Sequence, residues 1–229
     1  MNNINKEMTI GGIVAALPEA KNIFSAFDID FCCGGNRLLS EVIIHQNLKE
    51  EDLQDRLNAA LKERKNCYED REDDFTQMSP SVLSTYIEDK HHSYMRQTLP
   101  QISQVLETIL RVHGINHREL FDVYRLFGTL KADLEQHLLK EETMLFPALS
   151  RDEINRGEVT GLTTEIIGEH VAAGDILSKL RNTTKNYTLP EDACGTYQMA
   201  YYLLEEMEKD LHQHIHLENN ILLKEYDLR

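Results

Sequence analysis

The sequence predicts an all-α protein: a C-terminal up-down-up-down four-helix bundle preceded by a small helical domain. Three observations lead there. Apolar residues recur at steps of three and four, as in Met95, Leu99, Ile102, Leu106 and Ile109, and no convincing stretch alternates apolar with polar residues as a strand would. Glycine and proline sit in a few places, so that Gly114, Gly157 with Gly161, and Pro190 with Gly195 punctuate three connections. The third observation is a pattern that occurs twice. His92 is followed 45 residues later by His137 with Glu141, and His170 is followed 44 residues later by His214 with Glu218.

Taken in order, residues 1–64 read as the small helical domain. A helix begins near Thr9, a second has Pro18 near its start, and the loop Asp30-Phe31-Cys32-Cys33-Gly34-Gly35 precedes helices from about Asn36 and Glu50. Residues 65–79, with the run Glu69-Asp70-Arg71-Glu72-Asp73-Asp74, read as a charge-dense linker. The bundle occupies 80–229. Its first helix starts at a Ser79-Pro80 cap and runs to about His113, and the others span about Arg118 to Ser150, Leu162 to Asn182 and Thr196 to Tyr226. Short connections imply antiparallel neighbours. The matched spacings then describe a twofold pseudo-repeat, the first helix pair echoed by the second.

A histidine and a glutamate four residues apart share one helix face. A single such pair on a charged helix is commonly just solvated. Here the pairs interrupt apolar stripes: Leu130, Leu134, His137, Glu141 and Leu145; Leu203, Met207, His214, Glu218 and Leu222; and Ile166, His170, Ala173 and Leu177. Ionisable groups on a core-facing stripe are costly unless paired or bound to metal. Two interruptions arise by chance, whereas four with matched spacing argue for a site. His92, Met95 and Leu99 lie on one stripe and His91 points away from it, so His92 is the better ligand. His113 shares that stripe but lies about 31 Å further along a continuous helix. It reaches the same site only if Pro100 breaks the helix, and so reads as an end-of-helix residue, with His45, His91, His117, His212 and His216 solvated or supporting. Four imidazoles and two carboxylates at one level of a bundle make a two-metal site. If both glutamates bridge, about eight of about twelve positions around two six-coordinate metals are filled, which leaves room for solvent or substrate. Imidazole with carboxylate suits iron, zinc or manganese.

Composition narrows the partners. An apolar fraction of 41% and a charged fraction of 28% describe a soluble globular protein, and no apolar run approaches a membrane span. A net charge of −15 opposes nucleic acid and anionic membrane surfaces. The start MNNINKEMTI lacks a signal pattern, and the four cysteines form no CxxC pair, so a cytoplasmic protein is expected. The oligomeric state stays open, a homodimer included.

The segments HLLKEE at 137–142 and HIHLENN at 214–220, with Glu169-His170, resemble hemerythrin-like di-iron bundles. DFCCGG at 30–35, in a short helical domain ahead of such a bundle, resembles the repair-of-iron-centres family. The resemblance covers nearly the whole chain. It implies a non-haem di-iron protein of the cytoplasm that restores iron–sulfur clusters damaged by nitric oxide or peroxide, acting on damaged iron–sulfur proteins. Two iron ions, oxo- and carboxylate-bridged, would be held by His92, His137, His170 and His214 as terminal ligands and by Glu141 and Glu218 as bridges. Asp133 and Glu169 fall where that family carries acidic residues near the site. The run Ile221-Leu222-Leu223-Lys224 departs from the family's aromatic-proline turn, which bears on the C-terminal packing rather than on the ligands. Two other readings are a carrier or sensor of oxygen or nitric oxide, and a di-iron oxidase or nitric oxide reductase. Whether the protein turns over as an enzyme is left open.

Cys32 and Cys33 carry a separate expectation. Adjacent cysteines are often small buried residues, but Gly34-Gly35 allow close backbone approach, and a helix from near Asn36 would offer its positive end to a thiolate. An accessible thiol pair of low pKa, active in thiol transfer or redox chemistry, is the reading. No helical register connects residues 32 and 33 to the bundle interior.

Overall fold

A computed structural model describes residues 4–66, 74–151 and 153–229. Of the expected linker, residues 67–73, which include Cys67 and the run Glu69 to Asp73, lie outside the described residues. The chain divides into two compact units, Met1–Leu83 with Ile215–Arg229, and Ser84–His214. Among the described residues there is no strand, only an isolated antiparallel bridge between Thr9 and Leu38.

In the first unit, Thr9 caps α1 (Ile10–Ala16): its hydroxyl accepts the Gly12 N–H at 3.2 Å, which satisfies one of the donors a helix start leaves open. Helix α2 (Ala20–Ala26) turns Phe24 inward, and α4 (Glu50–Asn66) meets α2 through Leu53, Leu57 and Leu61, which repeat every four residues. Helix α3 (Leu39–His45) starts three residues later than the sequence suggests. The bridge to Thr9 keeps Leu38 extended, and Glu41 accepts the Leu38 N–H at 3.0 Å, so the helix can begin only at Leu39.

The bundle limbs are not plain α-helices. The first runs as α5 (Pro80–Ile87), a π turn at Glu88–His92 and α6 (Ser93–His113), which continues through Pro100 and leaves His113 at its far end. The second is α7 (Glu119–Lys140), a π turn at Glu141–Leu145 and α8 (Phe146–Leu149). Helix α9 (Arg156–Thr183) begins six residues before the expected Leu162, because Asn155 accepts the Glu158 N–H at 3.2 Å and caps it there. Gly157 and Gly161 are therefore helical rather than breakers. The last limb is α10 (Gly195–Leu217) with a π turn at Glu218–Leu222. In the second unit α7 packs against α6 and α9. The expected stripes form the core, except that Leu204 rather than Leu203 is buried on α10.

Candidate metal centre

Three of the four limbs carry a π turn at a candidate donor: one ends on His92, one opens on Glu141 and one opens on Glu218. Such turns admit one extra residue per turn and widen the helix locally, and they recur at functional sites. His137 lies one turn before Glu141 on α7, His170 in mid-α9 and His214 one turn before Glu218. All six side chains are buried, with Glu141 and Glu218 at 0% exposure. Two buried carboxylates and four buried imidazoles lose their hydration unless a positive charge compensates them.

The imidazoles meet in two pairs. His92 Nε2 is 3.2 Å from His214 Nε2, and His137 Nε2 is 3.2 Å from His170 Nε2. Glu141 sends one oxygen to each pair, Oε1 at 3.2 Å from His137 Nε2 and Oε2 at 3.3 Å from His92 Nε2. His92, Glu141, His214 and Glu218 form one group of donors within 4.8 Å of one another, and His137, Glu141, His170 and Glu218 form a second. Glu141 and Glu218 are the two residues named in both groups.

The outer faces of two rings fix their tautomers. Glu142 accepts from His92 Nδ1 at 2.7 Å and is itself held by Arg96. Glu169 accepts from His137 Nδ1 at 2.8 Å and is held by Lys140, which also reaches Glu165. The His137 hydrogen bond draws the Glu169 pKa down to about 2, with Lys140 assisting and burial opposing. For Glu142 burial pushes upward, but Arg96 and His92 outweigh it and the carboxyl sits below its ordinary value. A carboxylate on Nδ1 keeps the proton there and bares the Nε2 lone pair. Each bared lone pair then faces another imidazole nitrogen at contact distance beside a buried carboxylate. That arrangement suits a cation between the rings, so the residues fit a metal pair, and imidazole with carboxylate suits iron, zinc or manganese.

Several supporting residues have no periodic signal in the sequence. Glu142, Arg96 and Lys140 act only through the rings they orient, and Asp133, expected near the site, is exposed and belongs to neither group. His91, read as pointing away, is buried: its ring stacks parallel on that of His214 at 5.6 Å, and its Nδ1 lies 3.0 Å from Asp210. The extra residue of the π turn rotates the register, so two consecutive histidines both face inward.

In the first unit, Asp30 Oδ1 accepts the backbone N–H groups of Cys32 and Cys33, both at 3.0 Å, and lies 3.2 Å from Cys32 Sγ. The two sulfurs are 3.8 Å apart. Cys33 is half-buried, but Cys32 is buried, and its thiol is pushed well up by its hydrogen bond to Cys33, by burial and by the charge of Asp30. The expected low-pKa accessible pair is thus corrected for Cys32. The helix meant to stabilise a thiolate starts only at Leu39, and the Asp30 carboxylate lies 3.2 Å from Cys32 Sγ. What ties the loop down is not helical register but side chains from the end of the chain. Asn220 Nδ2 donates to the carbonyls of Phe31 at 3.3 Å and Cys32 at 3.1 Å, and Asn219 Nδ2 donates to Cys32 at 3.3 Å. Both asparagines directly follow Glu218. Gly11 and Gly35 make room for the Asn220 amide: a Cβ on either would stand 2.1 or 2.2 Å from its Oδ1. His216, buried beside the Phe31 ring, has its pKa lowered to about 4 by that burial.

Comparison with known proteins matches the chain to two sequence families. Residues 83–226 match the hemerythrin HHE cation binding domain, and residues 6–61 match ScdA_N, a domain of unknown function. The chain is 30% identical over 227 residues to the iron-sulfur cluster repair protein ScdA of Staphylococcus haemolyticus, covering 97% of this chain and 99% of that one. It is 31% identical to the iron-sulfur cluster repair protein YtfE of Yersinia pseudotuberculosis, over 95% of both chains. The ScdA of Staphylococcus epidermidis is 27% identical, over 96% of this chain and 98% of its own. Among the described residues no helix is long and apolar enough to cross a membrane.

Proposed function

The chain belongs to the family of iron-sulfur cluster repair proteins that includes ScdA and YtfE, with a hemerythrin HHE cation-binding domain, and from that premise we propose that it repairs iron–sulfur clusters by means of a non-haem di-iron centre. His92, His137, His170 and His214 would hold the iron pair as terminal ligands, and Glu141 and Glu218 would be shared between the two ions. The observation that carries this reading is the sharing of both buried carboxylates between two histidine pairs.

When bound, the iron pair supplies redox capacity and open positions for nitric oxide or oxygen. The chain's own residues do the rest. Glu142 and Glu169 hold protons on the outer nitrogens of His92 and His137 and so keep the inner nitrogens basic. Arg96 and Lys140 neutralise those carboxylates from outside and fix their direction. Cys33 is the more accessible thiol of its loop and takes the transfer or redox role, while Cys32 stays protonated and supports it. Damaged iron–sulfur proteins are the partners. Four cysteines without a pairing pattern fit a reducing compartment, and the cytoplasm goes with this reading.

The test is iron analysis with Mössbauer spectroscopy on protein purified without oxygen, beside reactivation of an iron–sulfur enzyme damaged by nitric oxide. A coupled iron pair and recovered enzyme activity are expected. A preparation from iron-replete cells that holds zinc and no iron, or one that leaves the damaged enzyme inactive, overturns the proposal.

A further inference from the structure

Apart from the buried cluster, a second group of donors converges within the second unit. His113 ends α6, His117 lies in the turn to α7, and Asp192 and Cys194 belong to the loop that leads into α10. His113 Nε2 is 3.2 Å from Cys194 Sγ, 81 residues away in sequence. His117 Nε2 is 2.9 Å from Asp192 Oδ1, 75 residues away. His113, His117 and Asp192 each offer an atom within 4.8 Å of the others. The 21 residues of α6 separate this group from His92, about 31 Å at the helical rise. It is a separate place with separate chemistry.

We propose that His113, His117, Asp192 and Cys194 form a second metal site, for one four-coordinate divalent cation of the zinc class. Two imidazoles, a carboxylate and a thiolate are a borderline-soft set that suits a tetrahedral ion. Calcium and magnesium require six or more oxygens, which this group does not offer. The surroundings are those of an oriented site. Glu119 Oε1 lies 3.2 Å from His117 Nδ1, the outer contact that fixes a ligating histidine. Both rings pack edge-on against buried Tyr197, with centroids at 5.4 and 5.7 Å. The Cys194 thiol is held below its ordinary pKa by the Tyr197 N–H, by His113 and by the Thr196 N–H, so the thiolate that binds metal forms more readily than on an ordinary cysteine. His113, His117 and Asp192 supply three converging donors and Cys194, 3.2 Å from His113, would supply the fourth, which describes a closed, structural site: the ion would fasten the α6–α7 turn to the loop before α10. A cluster of ion pairs is the competing description, and it gives Cys194 no reason to respond to added cation.

The full-length, iron-loaded protein is treated with iodoacetamide, with and without one equivalent of zinc chloride, and alkylation is followed at the Cys194 peptide by mass spectrometry. Iron loading keeps the zinc from the buried cluster. Zinc is expected to slow Cys194 alkylation by about tenfold or more, and His117→Ala or Asp192→Asn to cancel most of that protection. Glu119→Gln, which touches only the outer face of His117, should weaken it by a smaller factor and serves where the other variants fold poorly. Equal rates with and without zinc in the unaltered protein overturn the proposal. So does undiminished protection in the His117, Asp192 and Glu119 variants, which would leave Cys194 as a lone thiolate binding zinc by itself.

Discussion

In the histidine–glutamate cluster every donor side chain stands on a helix, and two of the four rings, His92 and His137, are set by carboxylates bound to their outer nitrogens. The Cys32–Cys33 loop is built the other way: its backbone is set, by Asp30 on the amide side and by Asn219 and Asn220 on the carbonyl side. The difference separates two kinds of precision. A helix-borne cluster fixes side-chain atoms, as charges that must converge on an ion require. A loop held through its peptide groups fixes the chain, and with it the places of the two sulfurs, 3.8 Å apart.

The bridges mark the extreme of the first kind, and removing one should have the largest effect. Glu141→Ala or Glu218→Ala takes a ligand from both groups at once, so iron content should fall by more than half in each, against little change in His45→Ala, whose ring lies on exposed surface. Wild-type iron in both glutamate variants would refute the assignment. Stripping the metal comes next. A ligand bound only by the native state at 100 to 1,000 times its dissociation constant adds about 3–4 kcal/mol, or about 6–16 °C for a domain of this size. Calorimetry on iron-loaded and chelated protein should show that drop, and coincident melting curves would mean that the donors do not bind in concert. Below these stands Glu169→Gln. It keeps the shape but gives up the charge that holds the His137 proton, and should weaken metal binding by about 10–100-fold without unfolding the chain. An unchanged affinity would reduce Glu169 to a surface ion pair with Lys140.

The same contrast explains what the sequence disclosed. The all-helical fold and the six cluster residues were legible because helical period maps position to face: stripes such as Met95, Leu99 and Ile102 point inward, and so do the donors that interrupt them. The period also misled where the helix changed pitch. The π turn at Glu88–His92 buries His91 together with His92, which a constant 100° step cannot do. Local capping decided other details: Asn155 starts α9 early, and the extended Leu38 delays α3. The loop was opaque for a different reason. Its carbonyls are held by residues 187 to 189 positions away, and no local pattern announces that Asn219 and Asn220 belong to Cys32 and Phe31. The pair Gly34-Gly35 did announce close approach, and at Gly35 the approaching group is the Asn220 amide.

The smallest expected effect tests whether the loop is truly held through its backbone. Asn220→Ala removes two hydrogen bonds to carbonyls, worth about 1 kcal/mol each at most, and leaves both sulfurs and Asp30 in place. The Cys32 thiol is raised by its hydrogen bond to Cys33, by burial and by Asp30, so its thiolate fraction, and with it the alkylation rate, stays low until pH climbs above the ordinary thiol value of about 8.5. Cys194, held below its ordinary value, should approach its plateau at lower pH than Cys32. Alkylation rates followed peptide by peptide across pH 6–10 therefore carry an internal standard. In Asn220→Ala the loop opens more often, and the Cys32 rate at pH 8 should rise about 5–30-fold while that of Cys194 stays where it was. A Cys32 profile identical to the unaltered protein would mean that Asp30 and Asn219 suffice to position the loop, and that Asn220 serves only to fill the space between Gly11 and Gly35.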